Sequence, residues 1–225
     1  SGPVALSGGS LSVHTLQVDT NNTFTLGGGT LAFNTINLMP RSSLQAKILV
    51  TNNVNISPLA NAMAVITNGA GSGTSGSMDL SAANRSFTVG NGTNETDLAL
   101  EVPISNGGLT KAGSGTLRLG KPNTYTLGTV VSSGTLYVNN TSGSGTGTGA
   151  VTVNGGILGG TGIITGAVTV NGGGAISPGT ASSIGTLTLA SSPTLSGVTS
   201  VKINRNGGAF LADKLIRSGG ALNYG

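Results

Sequence analysis

The sequence predicts an all-β chain wound as a parallel β-helix (β-solenoid) of about eleven coils, on three observations. The heptapeptide AVTVNGG occurs twice, word for word, at Ala150–Gly156 and Ala167–Gly173. A Gly-x-Leu step recurs at Leu117, Leu136 and Leu158, with a spacing of roughly 20 residues, the range of repeats that stack on one another. Glycine supplies 40 of the 225 residues and charged residues only 7%, while Val, Ile, Leu and Thr fill short runs between Gly and Asn. That mixture makes short strands ended by tight turns, and nothing in it favours helix. The whole chain, 1–225, is expected to be one continuous solenoid, clearest over 106–225.

Each stretch supports this in order. Gly8-Gly9-Ser10-Leu11-Ser12-Val13 and Gly28-Gly29-Thr30-Leu31-Ala32-Phe33 are one phrase 20 residues apart. Between them Thr15–Val18 and Thr23–Leu26 alternate apolar with polar residues, as half-buried strands do. Further strands are expected at Lys47–Val50, Val54–Ile56, Met63–Ile66, Met78–Leu80, Ser86–Val89 and Leu98–Val102. Pro40 and Pro58 belong at turns or strand starts because proline lacks the ladder donor. Ala70–Ser77 reads as an outward loop. After Gly179, the Gly-Thr-Leu phrase returns at Gly185–Leu187, and Val198–Ile203 and Lys214–Ile216 follow as strands around Asp213. Stacked coils would line Leu, Val and Ile into internal columns, and eleven of them would make a rod of roughly 50 Å. Asn139, Asn154 and Asn171 follow strands at matching points, which predicts an Asn ladder at one corner.

Composition excludes several function classes. The net charge is +4, but the ten basic residues stand singly and no aromatic cluster accompanies them. Nucleic-acid binding needs a basic stripe, so no nucleic-acid partner is expected. Without cysteine there is neither a disulfide nor a thiolate metal site. No apolar run reaches membrane-spanning length. The chain begins at Ser1 and stops inside a turn-like segment, as a portion of a longer secreted precursor would. The acids are Asp19, Asp79, Glu95, Asp97, Glu101 and Asp213, and the single histidine is His14. Only Glu95, Asp97 and Glu101 lie close together, as the paired carboxylates of a polysaccharide-cleaving β-helix would, but they fall in a turn-like stretch. Gly71–Gly76 matches G-x-G-x-x-G without the helix a dinucleotide site requires. The Asn-x-Ser/Thr triplets read as by-products of Asn-rich turns, and single outward threonines in VTV and LTL do not make an ice-binding array. No catalytic, cofactor-binding or metal-binding residue is expected, and no enzyme.

GGLTKAGSGTLRL, then NTYT-x-GT-x-V and SSGTLYVN, resembles the autotransporter-associated β-strand repeat of bacterial exported proteins. The resemblance is close over Asn106–Gly225 and one of texture before that. It implies a right-handed parallel β-helix at the cell surface or beyond it. The chain departs from the family in carrying Leu127 where glycine is usual, and self-secretion through a membrane β-barrel is not read from residues 1–225. The expectation is a secreted or surface structural protein, a fibre or scaffold that self-assembles into a homo-oligomer or homopolymer through open strand edges. The alternative is an adhesive stalk holding a surface or polysaccharide ligand on its loops.

Overall fold

A computed structural model of the chain describes residues 4–19, 21–40, 45–59, 62–69, 76–206 and 209–218. Its strands lie on three faces that the chain visits in fixed order. Face 1 begins with Val4–Leu6, Thr23–Leu26 and Lys47–Val50, and face 2 with 10–13, 30–33 and Val54–Ile56. Face 3 begins with 15–19, 35–39 and Ala64–Asn68. Each strand pairs in parallel with its counterpart one coil away, so the ladder bonds run along the axis and neighbouring coils satisfy each other's backbone. Face 3 shows this without interruption. Its ladder continues through Leu98–Glu101, Thr116–Leu119, Thr135–Val138, Gly156–Gly160 and Gly174–Pro178 to Val198–Thr199. The fold is therefore the parallel β-helix that the repeat predicts.

Face 3 has nine rungs, and Lys214–Arg217 opens a tenth coil on face 1 by pairing with Thr186–Leu189. Eleven coils assumed 20 residues each. Thr15 pairs with Thr35 at that spacing, but the next registers, Thr35 with Val65 and Val65 with Ala99, take 30 and 34 residues. Those coils carry longer loops at their corners. Nine rungs at about 4.8 Å make a stack of roughly 40 Å.

Alternating inward side chains form the core. Leu117, Leu136, Leu158 and Ile176 stack in register on face 3, each fully buried. Leu31, Ile56 and Val89 do the same on face 2. Each such residue contributes about 1.5–3 kcal/mol of burial. The two copies of AVTVNGG stack directly, Val151 on Val168 and Val153 on Val170.

The Gly-x-Leu phrase keeps no constant phase. Leu11 and Leu31 lie on face 2, Leu117, Leu136 and Leu158 on face 3, and Leu187 on face 1. The phrase encodes a corner followed by an inward leucine, and any of the three corners accepts it. The Asn ladder is corrected for the same reason. Asn171 donates to Asn154 Oδ1 at 2.7 Å, both after face-2 strands, whereas Asn139 follows the face-3 strand Thr135–Val138 and stands at another corner. Val198–Ile203 also resolves differently, into Val198–Thr199 and a separate antiparallel hairpin, Ile203–Asn206 with Ala209–Ala212.

Face 1 changes character in the middle of the rod. After 104–105 the next two coils have no strand there, and the ladder resumes at Ile163–Ile164. Scattered backbone bonds remain there, such as Thr124 N–H to Ile104 O and Gly145 N–H to Ile163 O, and polar side chains supplement them. Asn123 Oδ1 accepts from the Ile104 N–H at 2.8 Å while its amide donates to Gly145 O at 2.6 Å, linking three coils. Asn140 donates to Ser142 O and accepts from the Ile163 N–H. Tyr125, fully buried, shares a 2.7 Å hydrogen bond with Thr129. Leu127, the departure from the family pattern, is 56% exposed at the corner between these segments and face 2, so its side chain displaces nothing in the core.

Candidate functional site

The acids that proximity in sequence groups together do not converge. Asp97 is buried beneath the 90–97 loop, where its two oxygens accept from the N–H groups of Gly92 at 2.6 Å and Thr116 at 2.7 Å. Glu101 pairs with Arg118 of the next coil at 3.0 Å on the outside of face 3. Glu95 leaves the loop in another direction, toward Ser182. Asp79 accepts from Lys47 one coil below, from Asn106 one coil above and from the Ser81 N–H. It thereby braces the bend at Ser81 and Ala82, two non-glycine residues with φ near +55°. Asp213 accepts from the Gly185 and Lys202 N–H groups and from Lys202 Nζ at 2.5 Å. Burial alone would raise the Asp213 and Asp79 carboxyls; the bonds from Lys202 and Lys47 and from the backbone hold both below the usual aspartate value. Five of the six carboxylates thus fasten corners or neighbouring coils, and no ion pair or hydrogen bond links two of them.

His14 is exposed in the first coil. The glycine motif at 71–76 lies almost wholly outside the described residues, as do most of the Ala70–Ser77 loop and Tyr224. Among the described residues no group of three His, Asp or Glu side chains is placed to hold a metal ion, and no helix is long and apolar enough to cross a membrane.

The most buried cation is Lys111. Its ammonium donates to Ala112 O, Gly113 O and Ser133 O at 2.7, 2.8 and 3.1 Å, tying two successive corners between faces 2 and 3. Desolvation lowers its pKa to about 8, against the opposing pull of Asp97. Gly134 at the same corner has φ +67°, and a side-chain carbon there would lie 2.3 Å from Gly113 O. Glycine is required at this point by both conformation and space.

One concave surface stands out, and sequence reasoning did not find it. Outward residues of face 3 form a floor running along the axis: Thr116, Thr135 and Ile157 in one register column, with Ser177 and Ser200 beside it. Above this floor two loops meet. Glu95, from the fourth coil, accepts from the Ser182 N–H and hydroxyl at 2.8 Å each, although 87 residues separate them. Tyr137 reaches from the floor to accept from the Ala181 N–H at 2.8 Å. The ring passes over Gly159, whose missing side chain leaves room for it. The loops belong to the fourth and eighth coils, so their junction spans the coils between them as a strap. The groove has a volume of about 380 Å³. Burial raises the Tyr137 hydroxyl, and Glu95 beside it adds to the effect, so the phenol stays protonated. The sequence signal was present only as Asn-Glu-Thr in one loop and Ala-Ser-Ser in another, with nothing to say that they touch.

Neither a curated protein nor a solved structure matches the chain. A family model does. Residues 109–138 match the passenger-associated-transport-repeat, within the stretch where the resemblance is closest. The matched segment holds the Lys111 corner, the three inward leucines Leu117, Leu119 and Leu136 of face 3, buried Tyr125 and the floor residues Thr116 and Thr135. At the centre of its ladder the chain therefore carries a stretch similar to the passenger-associated-transport-repeat.

Proposed function

We propose that the chain is a structural rod of an exported bacterial protein, secreted or displayed at the cell surface, and that it acts through shape and assembly and not through catalysis. The observation that carries this reading is the use of the carboxylates. In a chain so poor in charge, five of the six acids are bound to backbone N–H groups, hydroxyls or lysine and arginine partners, and they hold coils together. The matched repeat supports the exported setting. End-to-end assembly into a fibre is the mode we favour. The ladders run along the axis, so whichever coil ends a stack offers unpaired strand edges, and such edges template further pairing.

Negative-stain electron microscopy of the purified chain over a concentration series tests this. Filaments that lengthen with concentration are the expected result. Single rods of about 40 Å at every concentration would overturn self-assembly and leave a stalk that displays what its loops hold. The strapped groove on face 3 favours that second reading.

A further inference from the structure

We propose that the strapped groove on face 3 binds a neutral, extended polysaccharide chain lying parallel to the rod axis. The floor has the matching chemistry and spacing. Thr116 and Thr135 point outward from successive rungs, and Ser177 and Ser200 do so from later ones. Each hydroxyl both donates and accepts, as sugar hydroxyls do. Rungs recur about every 4.8 Å, close to the length of one pyranose unit in an extended chain, so successive sugars would meet successive coils in similar settings. Ile157, 39% exposed between the hydroxyl rows, offers an apolar spot for the C–H face of a ring.

Charge narrows the class. Glu95 overhangs the groove with no cation among the described residues bonded to it, while Lys202 at the groove's end is neutralised by Asp213. A polyanionic chain would meet uncompensated negative charge there. A peptide fits less well, because the backbone of the floor strands is already paired with coils on both sides and cannot take an added strand. The inference does not depend on whether rods polymerise, since it concerns the side of a single rod.

Affinity electrophoresis in native gels containing hydroxyethyl cellulose, galactomannan or dextran tests it, with polygalacturonate as the anionic comparison. Retardation by at least one neutral chain is expected, and weaker retardation by polygalacturonate. Thr135→Arg, which fills the floor from an outward position, should weaken binding about tenfold or more, while Thr135→Ser should keep it. Thr152→Arg, outward on face 2, should have no effect; matching circular dichroism spectra establish that each variant is folded. No retardation by any neutral chain would overturn the proposal. So would retardation that Thr135→Arg leaves unchanged, stronger retardation by polygalacturonate, or displacement by an extended peptide but not by soluble oligosaccharides.

Discussion

Lys111 shows how much one side chain does at a corner of this rod. Three carbonyl oxygens from two coils converge on one ammonium, and a hydrocarbon in its place leaves them without that donor. Lys111→Met should therefore destabilise the fold by about 1–3 kcal/mol near neutral pH, read from denaturant unfolding. The pH dependence has a definite sign. The unfolded chain holds this proton up to about 10.5 and the folded chain only to about 8. Between those values the unfolded state binds more protons, so the Lys111 contribution to stability rises with pH across that window. Wild type minus Lys111→Met, measured from pH 7 to 10.5, should show the rise; a flat difference would contradict the burial of the ammonium. In the sequence this lysine looked like one of ten scattered cations. Its role was illegible because a lysine is expected to face solvent, whereas the strand's alternation places Lys111 inward, in register with buried Phe87 and Val131, and its ammonium then reaches the corner carbonyls.

At the scale of elements, strands were far more legible than loops. Thr23–Leu26, Lys47–Val50 and Val54–Ile56 form at the predicted positions, because alternation over a few residues reports which side faces the core. Loops carry no such period, and the strap joins two of them across the outside of the rod. Its contribution is local. Glu95→Ala with Tyr137→Phe should leave the thermal midpoint within about 2 °C yet speed proteolysis within residues 90–97 and 179–185. Burial alone would raise the Glu95 carboxyl, but bonds from the Thr180–Ser182 segment hold it below 4.5. The junction is thus intact above that pH and should open as pH falls through the lowered value. Hydrogen exchange at Ala181 and Ser182 measures this; exchange independent of acid would show that Glu95 does not hold the strap.

Across the whole molecule, each coil's ladder bonds its immediate neighbours, and the strap from Glu95 to Ser182 reaches further only on the outside, so damage to the core should stay local before it spreads. Gly134→Val places a side chain against Gly113 O and Gly115 O in mid-rod. Exchange protection should fall around residues 109–160 while the strands near Leu31 and Ile56 keep theirs; uniform loss along the chain would mean the rod melts as one unit. The architecture was readable because every coil repeats the same local rule. The coil count was not, because the longer loops of the third and fourth coils obey no period. The changing phase of the Gly-x-Leu phrase carries a further consequence. A unit that fits any of three corners allows the gene to gain or lose a third of a turn, not only whole repeats. Such an event rotates everything downstream by one face without breaking the ladder. Rods of this kind can then re-aim their grooves and loops around the axis while keeping their cores, and the direction in which a site points becomes a heritable variable separate from the stability of the shaft.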